Sequence, residues 1–249
     1  MKNVLVTGAA KRLGRVIALE LAAAGWNIAL HYHGSATDAK VTAAEIRKLG
    51  VKVALLSANF AKEKDVAGLI SRAAKELGPL TALINSASIF ENDDWKSASR
   101  KSWDAHMDIN LRAPFLLSQL FAKQLPKGKA GSIVNIIDQR VLKPTPQFIS
   151  YSLSKAGLYW LTTTLAQALG PSIRVNAVGP GPTMKNARQS EKDFARQRKA
   201  TVLKHGAEPK DVAAAIRYLL AAPSVTGQMI AVDGGQHLIW QTPDVQGTE

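Results

Sequence analysis

The sequence predicts an α/β fold: one doubly wound sheet of about seven parallel strands with helices on both faces. Three observations lead there. Apolar runs of strand length recur without in–out alternation, as expected of strands covered on both sides. Segments with a helical apolar period separate them, the order that builds right-handed strand–helix–strand crossovers. The first run then ends in a glycine-bearing turn that opens a helix, Thr7-Gly8-Ala9-Ala10-Lys11-Arg12-Leu13-Gly14. That arrangement turns backbone N–H groups and the positive end of a helix toward a diphosphate.

In chain order, the strand-like runs lie at 4–6, 28–32, 51–56, 82–84, 132–137, 173–178 and 229–232. The helical patterns lie at 16–24, 39–49, 66–77, 103–125, 151–169 and 211–220. Gly25, Gly50, Gly78 and Gly170 stand where helices should stop. No linker, repeat or low-complexity tract divides the chain, so a single Rossmann-type domain is expected over 1–240. The polar, basic stretch 182–206 reads as an excursion from it. The polar tail 241–249 is expected to fray.

Composition removes several functions. With no cysteine among the 249 residues, disulfides, thiolate catalysis and cysteine-ligated zinc are excluded. The first strand begins within three residues of the start, and the apolar stretch 16–30 is interrupted by Glu20, Gly25 and Asn27. The expectation is a cytoplasmic protein without signal peptide or membrane span. A net charge of +13 would suit a polyanion, but lysines and arginines are spread over helices with no run of five. Phosphorylated cofactors are therefore expected, and specific nucleic-acid binding is not. His31 and His33 share a strand face without a third ligand nearby, so no metal site is expected.

The chemistry is carried by Tyr151 and Lys155, one helical turn apart on one face, with Asp138 upstream. The ammonium can lower the phenol's pKa and hold a ribose, leaving the tyrosine to protonate an atom that receives hydride. Other signals stand in a fixed order around this pair. They are Asn85-Ser86-Ala87-Ser88 after a short strand, Asn110 within Asp108-Ile109-Asn110-Leu111, Arg174 to Gly181 ending in a stiff Gly-Pro-Gly turn, and Val232-Asp233-Gly234-Gly235. Together with the first turn, this order resembles the short-chain dehydrogenase/reductase family over nearly the whole chain. Arg12 in place of a usual glycine, Asp138 in place of a usual serine, His31-Tyr32-His33-Gly34-Ser35, and Phe90 after Ser88 further resemble the pteridine reductases and dihydromonapterin reductases.

The resemblance implies roles. Tyr151 is the proton donor, Lys155 its electrostatic partner and ribose ligand, and Asn110 a helix-bending residue that anchors a relay water. NADPH is the expected cofactor. No acid ends the second strand to bind a ribose hydroxyl, whereas Arg12, His31 and Ser35 offer donors to a 2'-phosphate. Gly8, Lys11, Leu13, Gly14, Tyr32, Asn85, Ser86, Ala87, Pro180 and Gly181 complete the expected cofactor contacts. Asn59 stands near the adenine in place of the family's aspartate, and Gly34 replaces an arginine common in the subgroup.

For substrate, Asp138 discriminates. An ionised carboxylate accepts hydrogen bonds but cannot donate one to a carbonyl oxygen, which suits a heterocycle presenting N–H groups, such as a pterin. Asp138 kept protonated by burial, or bound to Arg140 or a backbone amide, are the alternatives. Phe90 is expected to stack on the heterocycle, with Ser88 and Thr183 beside it, and 182–206 to form a mobile lid. The expected reaction is NADPH-dependent reduction of a dihydropteridine C=N bond by a homotetramer. A ketone reductase of the same family and a non-catalytic NADPH-binding regulator are the alternatives.

Overall fold

A computed structural model describes residues 2–186 and 188–240; the expected tail at 241–249 lies outside them. The strands are β1 (Asn3–Val6), β2 (Asn27–Tyr32), β3 (Val53–Ser57), β4 (Ala82–Asn85), β5 (Gly131–Ile136), β6 (Ile173–Pro180) and β7 (Met229–Val232). All pair in parallel in the order β3-β2-β1-β4-β5-β6-β7.

Period-2 side-chain alternation divides each strand between two layers. In β1, Val4 and Val6 enter one core with Ile28 and Leu30, while Leu5 enters the other with Ala29 and Leu83. The first layer is closed by helices α1 (Arg12–Ala23), α2 (Ala36–Lys48) and α9 (Pro209–Ala221), through Ile17, Leu21, Ile46 and Ile216. The second is closed by α4 (Leu69–Leu77), α6 (Ala113–Gln124) and α7 (Ile149–Leu169), through Leu69, Leu77, Leu117, Phe121 and Leu165. Fully burying a Leu or Phe is worth roughly 1.5–3 kcal/mol, so the two layers dominate stability. Among the described residues, no helix is long and apolar enough to cross a membrane.

Two helical patterns are less continuous than the sequence suggests. The expected helix over 66–77 is two, α3 (Glu63–Ala67) and α4, meeting at Gly68. The expected helix over 103–125 comprises α5 (Arg100–Met107), a π-helical turn Asp108–Arg112 and α6. The extra residue per turn rotates Asn110 inward, where it is wholly buried. Gly25, Gly50 and Gly78 end their helices in the left-handed region, whereas Gly170 ends α7 with extended backbone before Pro171.

Candidate active site

The chain winds outward from β1 in both directions, and the crevice between the carboxyl ends of β1 and β4 is where such sheets take ligands. There the structure has a cleft of about 1180 Å³. This exceeds the usual range for one small ligand, roughly 300–1,000 Å³.

The nucleotide half is built by backbone approach. At Gly14 a Cβ would lie 2.2 Å from the Gly8 carbonyl oxygen, and at Gly8, with φ 67°, it would lie 2.9 Å from the Ala87 Cα. Only glycine lets these loops close on each other. Thr7 Oγ1 accepts from the amides of Ser86 and Ala87, both at 2.9 Å, locking the two loops together. These glycines, Lys11, Leu13, Ser86 and Ala87 all border the cleft, and the far wall includes Pro180, Gly181 and Thr183. The cradle fits a dinucleotide: its floor is backbone, and no carboxylate ends β2.

Three expected cofactor residues sit differently from their sequence reading. His31 is buried and stacked on Phe60 at 4.2 Å, and both ring nitrogens are used, Nδ1 by the Gly8 amide and Nε2 by the Ala58 carbonyl. Burial lowers its pKa to about 4, so the ring is neutral and fixes the loop rather than donating to a phosphate. Asn85 turns into the sheet, donating to Asn135 Oδ1 at 2.8 Å. Arg12 lies in the left-handed region, φ 54°, where the family's usual glycine costs nothing. Its guanidinium donates to the Lys185 and Met184 carbonyls across the cleft. Tyr32, Ser35 and Asn59 line the end of the cleft beyond β2 and β3; Asn59 Oδ1 accepts from the Ala61 amide.

The reacting half lies where β5 leaves the sheet. Asp138 follows that strand and caps a short turn, its Oδ1 accepting from the Arg140 amide at 2.8 Å. Its Oδ2 accepts from the Tyr151 hydroxyl, also at 2.8 Å. Tyr151 is in the first turn of α7, and Lys155, one turn on, donates through Nζ to the Ile136 carbonyl at 2.9 Å. Asp138 thus meets a backbone amide with one oxygen, as the alternative reading expected, and the Tyr151 hydroxyl with the other.

Electrostatics follow from this geometry. Burial raises the Asp138 carboxyl, outweighing the Arg140 amide, the Arg140 charge, Tyr151 and Lys155, which all favour the carboxylate. Burial, then the charge and hydrogen bond of Asp138, push the Tyr151 phenol well above its ordinary value. Lys155 was expected to lower it; the nearer carboxylate prevails. Burial lowers Lys155 itself to about 8, with Asp138 opposing.

Asn110 and Phe90 are both engaged by neighbouring side chains. All four hydrogen-bonding positions of the Asn110 amide are filled: Oδ1 by the Ile89 amide and Ser88 hydroxyl, Nδ2 by the Ile89 carbonyl and Ser154 Oγ. Its side chain therefore braces α7 from within the π-helical turn, consistent with the expected bend. Phe90 does border the cleft, but its face is stacked on Phe148 at 4.3 Å and its edge meets Tyr151. Phe148 and Arg188 escaped the sequence reading, and Arg140 was read only as a possible partner of Asp138; both guanidiniums lie within 6.0 Å of these rings. No motif marks them.

The stretch 182–206 carries helix α8 (Glu191–Lys199), none of whose residues is buried. It leaves and returns at one place, since a Cβ at Gly206 would lie 2.3 Å from the Pro182 carbonyl oxygen.

A family model described as Enoyl-(Acyl carrier protein) reductase matches residues 8–237. The chain belongs to the short-chain dehydrogenase/reductase family. Among curated relatives, the 3-oxoacyl-[acyl-carrier-protein] reductase FabG of Staphylococcus epidermidis is 32% identical over 242 residues, covering 95% of this chain and 99% of that protein. Among solved structures, the FolM alternative dihydrofolate reductase 1 of Brucella canis, complexed with NADP, is 43% identical with a TM-score of 0.95, covering 98% of this chain and 97% of that one. A short-chain dehydrogenase of Burkholderia cenocepacia in complex with NADP is 33% identical with a TM-score of 0.88, covering 94% and 97%.

Proposed function

We propose that the protein reduces a dihydropteridine C=N bond to the tetrahydro form with NADPH. The observation that carries this reading is the Tyr151 hydroxyl donating to the Asp138 carboxylate. With this partner the phenol is a poor acid. A ketone offers nothing to engage the carboxylate and would meet it as an uncompensated negative charge beside the developing oxyanion. A pterin ring presents N–H groups. As Asp138 accepts these, its hold on the phenol relaxes, and Tyr151 can give its proton to the ring nitrogen at the reduced bond.

NADPH supplies the hydride to the carbon of that bond. The Gly8 and Gly14 backbone, with Lys11 and Ser35, would hold it, and Arg12 would exchange lid carbonyls for phosphate. Lys155, fixed by the Ile136 carbonyl, holds the ribose and keeps positive charge beside the phenol. Phe148 leaves its stack on Phe90 so that the heterocycle takes its place, with Ser88 and Thr183 at its rim. The stretch 182–206 closes over the bound pair. The NADP-bound FolM relatives, at 43% identity, support both cofactor and substrate class. Assembly as a cytoplasmic homotetramer, one domain per subunit, belongs to the same reading.

The FabG relatives favour a second reading, reduction of a ketone. The deciding experiment follows NADPH oxidation with 7,8-dihydropterins, quinonoid dihydropterin, dihydrofolate, simple ketones and a 3-oxoacyl thioester. Turnover confined to ketones or the thioester would replace the proposal.

A further inference from the structure

The catalytic helix α7 lacks a cap of its own. Its N-cap position is Phe148, in the left-handed region with φ 58° and no side-chain hydrogen bond to offer. The orphan amides of the first turn are met from far upstream by Asp93, in the connection between β4 and α5. The Ile149 amide donates to the Asp93 carbonyl at 3.2 Å, and the Ser150 amide to Asp93 Oδ1 at 3.1 Å. The Ser150 hydroxyl donates to Asp93 Oδ2 at 2.5 Å. Ser102 Oγ, on α5, lies 3.0 Å from the same oxygen.

His106 closes the network. Its Nε2 accepts from the Glu91 amide at 3.2 Å, which places the donating N–H on Nδ1. That N–H faces Ser150 Oγ at 2.7 Å and the Ser102 carbonyl at 3.0 Å. The proton order is then fixed: His106 donates to Ser150, and Ser150 donates to Asp93. All three residues are 2% exposed or less. The next residue after Ser150 is Tyr151, whose ring meets His106 edge-on at 6.1 Å. Burial raises the Asp93 carboxyl, but the side-chain and backbone donors of Ser150, with the Ser102 hydroxyl, outweigh it and hold it below its ordinary value. The carboxylate persists in neutral solution.

We propose that Asp93, acting through Ser150 and oriented by His106, is the positioning element that fixes the Tyr151 hydroxyl against Asp138 and Lys155. None of the three borders the cleft, so the effect is exerted through the helix end alone. A tyrosine in an unanchored first turn would sample positions out of reach of the reacting atom, and small misplacements cost rate steeply. The inference rests on Tyr151 as the proton donor and not on the identity of the substrate.

The test compares Asp93→Asn and Ser150→Ala with Asn3→Ala. The control removes a buried amide whose bonds to Leu77 and Pro79 lie at the opposite end of the sheet. Asp93→Asn is expected to lower kcat roughly tenfold or more, as loss of a charged hydrogen-bond acceptor allows, with KM for NADPH nearly unchanged. In a Tyr151→Phe background the same change is expected to cost almost nothing further, because the residues act as a unit. Hydrogen exchange at the Ser150 amide, which needs no substrate, is expected to quicken in Asp93→Asn and not in Asn3→Ala. A kcat loss no larger than that of Asn3→Ala at equal Tm, additivity with Tyr151→Phe, or unchanged exchange overturns the inference. Full activity of Tyr151→Phe alone would instead remove the premise. If Asp93→Asn does not fold, Ser150→Ala decides, and unchanged kcat there overturns it.

Discussion

Asp138→Ser separates the two substrate readings. The carboxylate accepts from Tyr151 and from the Arg140 amide, both at 2.8 Å. Serine can keep the second contact, since it also caps short turns, but its shorter side chain releases the phenol. If Asp138 orients the N–H groups of a pterin, a charged hydrogen bond worth roughly 1.5–3 kcal/mol disappears, and kcat/KM for dihydropterin should fall about 10- to 150-fold. Ketone reduction should rise, because a hydroxyl now donates where a carboxylate repelled. One well-placed oxyanion donor is worth about 10²–10³ in kcat, which bounds the gain. NADPH oxidation measured from acid to alkaline pH on both substrates checks this. Stability gives an independent reading. Because folding raises the Asp138 pKa, the folded state binds more protons above 3.8, so wild-type stability falls as pH rises through that window. The serine variant should lack this slope and gain Tm at neutral pH. Unchanged dihydropterin turnover at every pH would refute the role of Asp138 and leave the ketone reading ahead.

Tyr151→Phe should lower turnover by roughly two or more orders of magnitude while fluorescence titration still shows NADPH binding; near-normal turnover would mean another donor. With Lys155 lowered to about 8, kcat/KM for NADPH should decline as pH rises past that value and the ammonium is lost. The unfolded lysine keeps its proton to 10.5, so stability should increase over the same window; a flat Tm between those values contradicts the burial argument. Arg12→Gly should relieve left-handed strain, raising Tm slightly, and weaken NADPH about tenfold more than NADH. Equal losses for both cofactors would assign Arg12 to the contact with the 182–206 stretch instead.

The strands were legible because a buried parallel strand is an uninterrupted apolar run; β1, β4 and β7 differ from their sequence bounds by at most one residue at either end. Helix breaks were not. A π-helical turn changes the period by one residue in the middle of an otherwise regular pattern, and only the cluster around Asn110 reveals its cause. The glycines of the first turn and the Tyr151–Lys155 pair were legible because their chemistry needs fixed local spacing. His31 was misread for the opposite reason: its burial depends on Phe60 and Ala58 in another strand's loop, which no local spacing encodes. Phe148 and Asp93 act on partners separated from them by long stretches of chain, and neither belongs to a motif.

The hydrogen bonds around the cleft divide it into a fixed floor and a loosely held wall. Thr7 binds the β1 turn to the β4 turn, Asn110 binds the β4 turn to α7, Asn135 binds Asn85 of β4 to Thr162 of α7, and Asp93 binds the start of α7. Each of these residues is almost wholly buried, so opening the floor exposes unpaired polar groups and costs about 1–3 kcal/mol apiece. The wall that carries α8 is held otherwise, although 201–205 packs on the turn at Gly234, with Thr201 wholly buried and the Leu203 amide donating to the Gly234 carbonyl. Arg12 meets it through exposed hydrogen bonds, Arg188 meets Glu91 in a half-exposed pair, and α8 buries no side chain. Exposed pairs contribute at most about 1 kcal/mol. Displacing this wall, with Pro182 and 201–206 left in place, therefore breaks the weakest bonds around the cleft. Such a displacement leaves the contacts of Tyr151, Lys155 and Asp138 intact, so the proposed proton-donating group need not be dismantled for a ligand to enter.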